Sequence, residues 1–571
     1  MKLISKITFL KPVLNKLSKL LNRRQKIHLF FLLIITIGFS LIETIGISVI
    51  MPFISLASDP KLLNAGWYKK TYDFLKFNNA ERFIIIFGIV IIFFYIFRAI
   101  YSVLLTLYTN RFSTGIYKYL SKKIFKKYLL VSYRVFTQKN SAVLMQAISN
   151  ETNETSKIIL HILLLCSETF TVLMIYAVIV LLNWKMTLII TVILLFIIIF
   201  LLLFITKISK AQGAKRHNAN RIMNRVLKEA LGNFKYVKLK GNEEGILKTY
   251  DSVVGIRSQA EIMNNVLGVV PKSILESIGF SFLVAVVVFI IWFYHDASKV
   301  IPIISMYALA LYRILPSVHH ILNNINHIAF SEKTLDSVYE SINQVIEAEG
   351  SEPVEFNASI RLENIHFNYI TGNEVFTNAS LEIKKGEKTA FTGESGSGKS
   401  TLVDIIIGIH KPVSGTLYID GIPITNDNIK SWRKKIGYIP QSIYLFDGTV
   451  AENVSFGSEP DEEKIIIALK KANIWDFLVQ KDGINTRVGD GGIQLSGGQQ
   501  QRIGIARALY DDPEVLVLDE ATSALDTETE QKIMNEIYTV SANKTLIVIA
   551  HRLSTVERCN RRIRIENGKI I

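Results

Sequence analysis

Six long apolar runs constrain this chain more than any other feature of its sequence. They fall at approximately 27–56, 83–108, 158–182, 187–206, 266–294 and 300–325, and each meets the ~20 mostly apolar residues that a helix needs to cross a bilayer. Six crossings return the chain to its starting side. Residues 110–157 carry nine Lys or Arg and residues 206–265 carry twelve, whereas only a short stretch around Asn183, Trp184 and Lys185 joins the third and fourth runs. Because cytoplasmic loops hold the excess of Lys and Arg, both long loops and both termini are expected on the cytoplasmic side. That placement accounts for the net charge of +16 without a nucleic-acid partner. Both loops are rich in helix formers and poor in Pro and Gly, so the membrane helices are expected to run well past the bilayer.

Residues 1–26 hold Lys2, Lys6, Lys11, Lys16, Lys19, Arg23, Arg24 and Lys26, no acid, and Leu and Ile at helical spacing. This predicts an amphipathic cytoplasmic helix rather than a cleaved signal. The six-span region occupies 27–330, and helical pattern continues through SEKTLDSVYESINQVIEAEG until GSEP at 350–353 breaks it, which makes 331–357 an extension and linker. From 358 to 571 short β-type runs (SIRLENIHF, SLEIKKGEKTAFTG, EVLVLDE, TLIVIAH) alternate with helical stretches. The expected fold is therefore an all-α six-helix transmembrane domain followed by an α/β domain with a largely parallel sheet. The two cysteines, Cys166 and Cys559, are too far apart in setting to form a disulfide framework.

GESGSGKS at 393–400 fits G-x-x-x-x-G-K-[ST] between a strand, KTAFTG, and a helix opening on STLVDIIIG. Gly393, Ser395, Gly396, Ser397, Gly398 and Thr401 would wrap the phosphates of ATP, with Lys399 reaching the β and γ groups and Ser400 holding Mg2+. VLVLDE at 515–520 is a buried strand ending in two acids, Asp519 for the metal and Glu520 as the base for an attacking water. A glycine-rich turn or an acidic loop entry alone is commonplace; the two together at this spacing are not.

With LSGGQQQR at 495–502, SALD at 523–526 and TLIVIAH ending on His551, the set resembles the nucleotide-binding domain of ABC transporters. The resemblance implies that Tyr369 stacks on adenine, that Gln441 in GYIPQ contacts Mg2+, and that His551 contacts the γ-phosphate and the attacking water. It also implies that Ser496, Gly497, Gly498 and Asp526 complete a site on another copy. One P-loop and one signature per chain then call for a homodimer. The order of domains, FDGTVAENVSFG at 446–457 and TRVGDGG at 486–492 resemble half-size exporters of the type IV build, in which Glu usually stands where this chain has Arg487.

Substrate is read from the membrane half, where the ionisable residues in apolar runs are Glu43, Arg98, His161, Glu168, Lys272, Glu276 and Arg313. Lys272 and Glu276 lie one turn apart, close enough to neutralise each other, while Arg98 and Arg313 lack a partner one turn away and suit an anionic, phosphate-bearing substrate. PKLLNAGWYKKTYDFLKF at 60–77 places Leu63, Trp67, Phe74 and Phe77 on one stripe at 100° per residue, predicting an external interfacial helix. Packing on its own bundle and binding of a lipid tail fit that pattern equally. An external helix here, with LIETIGISVIMPF in the first run and VPKSILES in the fifth, resembles the PglK family of bacterial lipid-linked oligosaccharide flippases. That resemblance implies ATP-driven movement of a polyprenyl-pyrophosphate-linked oligosaccharide across the cytoplasmic membrane for N-glycosylation. It also implies a tail contact at Trp67 and Phe74 and a pyrophosphate contact at the basic residues. The residues by themselves equally allow a lipid A or multidrug exporter. A membrane-anchored regulator that uses ATP as a switch is the alternative of another class, disfavoured by Glu520 and the complete signature.

Overall fold

The structure, a computed structural model, describes residues 10–58, 60–64, 66–74, 76, 77, 79–182, 184–294, 301–369, 372, 374–519, 527–549 and 556–571. The chain divides into two compact units. One comprises residues 1–129 and 139–344, the other residues 130–138 and 345–571.

The first unit is helical: α1 (Leu10–Leu20), α2 (Arg23–Ser58), α3 (Gly66–Phe74), α4 (Ala80–Leu129), α6 (Thr152–Leu182), α7 (Trp184–Gly232), α8 (Glu243–Tyr294), α9 (Ile301–Phe330) and α10 (Glu332–Asn343), with the short α5 (Tyr133–Phe136) belonging to the second unit. The six expected spans lie on α2, α4, α6, α7, α8 and α9. At 1.5 Å per residue a 50-residue helix such as α4 is about 75 Å long, more than twice the ~30 Å hydrocarbon layer. The run-on past the bilayer is therefore built into single unbroken helices.

Polar side chains bind the bundle from inside. The Ser40 hydroxyl of α2 donates to the Ser167 carbonyl of α6 at 3.0 Å, and Ser113 of α4 donates to the Ser156 carbonyl at 3.0 Å. Asn326 of α9 donates to the Asn264 carbonyl of α8 at 3.0 Å and accepts from the Ser209 hydroxyl of α7. Gly213 of α7 lies so close to α9 that a Cβ would sit 2.0 Å from the Phe330 carbonyl oxygen. Small residues and interhelical hydrogen bonds are what hold helices together where the surroundings are as apolar as the side chains.

Two amphipathic segments have specific covers. In α1 the stripe Val13, Leu17 and Leu20 is buried against Ile116, Leu120 and Ile124 of α4 and Leu335, Val338 and Ile342 of α10, and Lys16 Nζ pairs with Asp336 at 2.6 Å. The expected continuous helix over 60–77 is instead a 3-10 turn at Pro60–Asn64 followed by the separate α3. Gly66, a poor helix former, opens the second piece, and Lys76 takes a left-handed φ of 52° beyond its end. A 3-10 turn winds about 120° per residue, so a 100° phase does not hold through 60–64. Leu63 is buried with Leu56 and Phe83, joined by Tyr68, Tyr72 and Phe77, and Phe83 meets Tyr72 and Phe77 edge to face at 5.5 and 5.3 Å. Phe74, expected on the same stripe, is 83% exposed.

The second unit carries two sheets. An antiparallel one runs β2 (Glu374–Lys384), β1 (Ser359–Asn368), β4 (Ser414–Ile419), β5 (Ile422–Pro423). The other runs β10 (Lys569–Ile570), β9 (Arg561–Glu566), β3 (Lys388–Thr392), β8 (Thr545–Ile549), β7 (Val515–Asp519), β6 (Ile436–Ile439), parallel except for β10. Helices α11 (Lys399–Ile406), α12 (Gly497–Leu509) and α13 (Thr527–Val540) follow the strands and turns. The segment from 345 to β1 packs into this unit: Val354 and Phe356 are buried, and the Gly350 amide donates to the Asn426 carbonyl at 2.6 Å.

The burial of α1 yields a first prediction. Leu17→Ala removes a side chain that is 4% exposed and should cost about 2–5 kcal/mol, lowering the apparent thermal midpoint of the purified protein. Leu14→Ala, at 48% exposed on the same helix, should leave it unchanged within about 0.5 kcal/mol; equal shifts would contradict the buried stripe.

Candidate functional site

Strands β3 and β7 flank β8, so the turn after β3 and the acid ending β7 meet at one sheet edge, the carboxyl edge where open α/β sheets bind ligands. The turn is residues 393–398. Gly398 has a φ of +105°, and a Cβ on it would stand 2.9 Å from the Phe376 ring, so only glycine lets the chain enter α11 there. Lys399, 5% exposed, donates from Nζ to the Gly393 and Glu394 carbonyls at 2.9 and 2.8 Å. The ammonium is thus held inside the loop that would receive phosphate. The Ser397 hydroxyl is buried and makes no hydrogen bond among the described residues, so a phosphate oxygen there would meet its unused donor.

Ser400 Oγ donates toward Asp519 Oδ1 at 3.5 Å, and the Tyr438 hydroxyl donates to Asp519 Oδ2 at 3.0 Å. Two hard oxygens at this separation are close to the about 3 Å between neighbouring ligands of an octahedral Mg2+, so the pair fits that ion. When bound it would neutralise phosphate charge. Asp404 stands four residues after Ser400, on the same helix face, and burial together with the Asp519 charge pushes its pKa up to about 6. Burial and Asp519 also push Tyr438 far up, keeping it a proton donor. Asp404 and Tyr438 were both missed in the sequence. The i,i+4 spacing from Ser400 was a usable signal for the first.

Tyr369, half-buried beyond β1, shares a 2.8 Å hydrogen bond with Thr401 Oγ1, which brings the expected base-stacking ring to the start of α11. Gln441 lies two residues past β6 and is exposed. Ser496 caps α12 through a capping box with Gln499, and Ser496 and Gly497 are exposed. The positive end of that helix dipole therefore faces outward, as an anion on another molecule would need. Glu520, Asp526 and His551 lie outside the described residues.

The signature helix is clamped to the segment after Gln441. Arg507 donates from Nε to the Asn453 carbonyl at 2.8 Å, from one terminal nitrogen to the Tyr444 carbonyl at 3.1 Å and from the other to Asn453 Oδ1 at 3.1 Å. Beside it, a Cβ on Gly504 would stand 2.2 Å from Ile443 Cδ1. Arg487 is exposed, its backbone bridged to Thr449.

In the transmembrane unit Arg98 is not without a partner. It pairs with Glu43 of α2 at 2.9 Å, a neighbour from another helix that spacing along α4 cannot disclose. Lys272 is exposed on α8 and Glu276 half-buried one turn on. Arg313 and Trp67 lie on α9 and α3 with side chains outside the described ones. His161 stacks on His327 at 4.5 Å with the rings 11° from parallel, and both line a cavity of about 240 Å3 with Lys157, Arg216, Glu154 and Glu261. Its charges are of both signs, and Arg216 and Lys157 each pair with Glu154.

Family models match both halves: "ABC transporter transmembrane region" over residues 26–312 and "ABC transporter" over 376–523. Among curated proteins, the ATP-dependent lipid A-core flippase of Thiobacillus denitrificans is 28% identical over 550 residues, covering 92% of each chain. That of Burkholderia thailandensis is 28% identical over 457 residues, 79% of this chain and 76% of the relative. The heterocyst differentiation ATP-binding protein HepA of Nostoc sp. is 27% identical over 486 residues, 83% of this chain and 78% of the relative. Among solved structures, a bacterial Atm1-family ABC exporter with ATP bound has a TM-score of 0.78 at 22% identity, covering 96% of this chain and 95% of that one, a likeness of fold.

The close fit at Gly504 is testable by a size swap. Gly504→Ala should lower ATP turnover several-fold by displacing Ile443, and adding Ile443→Ala should restore most of it, since neighbours that share one space do not act additively. A double variant as slow as the single one would show that Ile443 is not what Gly504 accommodates.

Proposed function

This chain belongs to the ABC transporters, an ATP-hydrolysing, membrane-integral half-transporter of the exporter type, and we propose that it flips an anionic, phosphate-bearing lipid across the bacterial cytoplasmic membrane. Lys399, Ser397, Ser400 and Asp519 gathered at one sheet edge carry the ATP half of this reading. The exposed start of α12 supports a homodimer in which each signature, with Asp526, completes the partner's site. Glu520 acts as base toward the attacking water, and His551 and Gln441 orient the γ-phosphate end. Closure of two copies on ATP and reopening after hydrolysis then alternates access for the lipid. Both termini lie in the cytoplasm.

For the cargo, a polyprenyl-pyrophosphate-linked oligosaccharide used in N-glycosylation is the favoured lipid, on the motifs LIETIGISVIMPF and VPKSILES. Lipid A is the second reading, favoured by relatives that bear the name lipid A-core flippase. Leu63, Tyr68, Tyr72 and Phe77 pack on their own bundle, and Phe74, 83% exposed, is the described stripe residue open to a tail contact.

Glu520→Gln should nearly abolish hydrolysis while ATP still binds; turnover at the parent rate would remove Glu520 from the base role. The cargo is decided in liposomes offered a pyrophosphate-linked oligosaccharide, lipid A or a cationic drug in turn, and transport of the drug alone would overturn the anionic-lipid reading. Because truncating Arg98 would remove its 2.9 Å pair with Glu43 along with the charge, the cleaner probe exchanges them. Arg98→Glu with Glu43→Arg keeps the pair and should impair lipid transport more than basal ATPase activity.

A further inference from the structure

Residues 130–138 lie between two transmembrane-unit helices in sequence, yet they are part of the nucleotide unit. Within that unit α5 touches the surroundings of Tyr369 in two places. Arg134 donates to the Asn368 side chain at 3.2 Å and stands 5.7 Å over the Phe367 ring, and these are the two residues before Tyr369. Tyr133 lies 5.6 Å from the His410 ring.

His410 is 4% exposed and sits among three aromatic rings: Tyr133, Phe367 at 5.1 Å and Tyr369 at 5.8 Å, the last edge to face at 85°. Its Nδ1 is buried with no hydrogen bond among the described residues, and its Nε2 is 3.8 Å from Asp404, too long for a hydrogen bond. Burial and the Arg134 charge lower its pKa, so it packs as a neutral ring. A buried imidazole with an unmet nitrogen costs more than a plain hydrocarbon ring would, and what it provides here is contact with α5 on one side and Tyr369 on the other.

We propose that His410 is a positioning residue: its ring passes the placement of Tyr133 on α5 to Tyr369, and so sets the affinity for the base of ATP. This rests on the reading of Tyr369 as the base-stacking residue. It makes the base end of the nucleotide depend on residues 130–138 of the same unit.

The test is steady-state ATP hydrolysis by the full-length protein in liposomes. His410→Ala should raise KM for ATP about fivefold with kcat changed less than about twofold, the split expected when only binding is lost. His410→Phe, which keeps the ring, should restore KM. Tyr133→Ala should raise KM similarly, and the double Tyr133→Ala, His410→Ala should be no worse than either single variant, because both remove one path. A parent KM in His410→Ala alongside a raised KM in Tyr369→Ala would overturn the positioning role and leave the base-stacking reading in place. A parent KM in Tyr369→Ala would remove both. If His410→Ala does not fold, Tyr133→Ala with a parent KM overturns the proposal on its own.

Discussion

The parallel pairing of β3, β8 and β7 decides where every phosphate-facing group can be. Strand β7 is buried along Val515, Leu516, Val517 and Leu518, worth about 1.5–3 kcal/mol for each side chain. A strand buried on both faces has no polar alternation to choose its register. Polar latches at its two ends do that instead. At one end Glu514 is held by Lys385 and Lys435; at the other Asp519 accepts from Tyr438. A slip of one residue would carry Asp519 about 3.3 Å along the strand, nearly the whole distance that now separates it from Ser400.

In the membrane half the same accounting of polar groups runs without water. Thr36, Ser40 and Thr44 return their hydroxyls to carbonyls one turn back or to α6, and Arg98 finds Glu43 across a helix boundary. An isolated guanidinium there would be expensive, so the pair is first a condition of folding, and any role toward an anionic head is layered on that condition.

What could be read from sequence was what depends on local order. The phosphate loop was legible because positive φ demands glycine at fixed offsets, and β7 because an apolar run ends abruptly in acid. Six helices were legible from length alone. Residues that act by meeting something distant in sequence were not: Tyr438 and His410 sit on ordinary positions of a strand and a loop, and Arg98's partner is 55 residues away. The 60–77 segment was misphased for a related reason, since a 100° wheel assumes an α-helix throughout and residues 60–64 form a 3-10 turn. For α1 the stripe was plain, but only the packing names α4 and α10 as its cover.

The nucleotide unit is discontinuous in sequence: nine residues, 130–138, reach it from a chain position more than two hundred residues upstream of its main body. A fragment cut to residues 345–571 therefore lacks part of its own wall, and the edges of Phe367 and His410 that Tyr133 and Arg134 now cover would meet water. The module that burial defines and the module that a cloning boundary would define differ by one turn of helix. Swapping nucleotide halves between related chains would carry a mismatched patch unless that turn travelled with them.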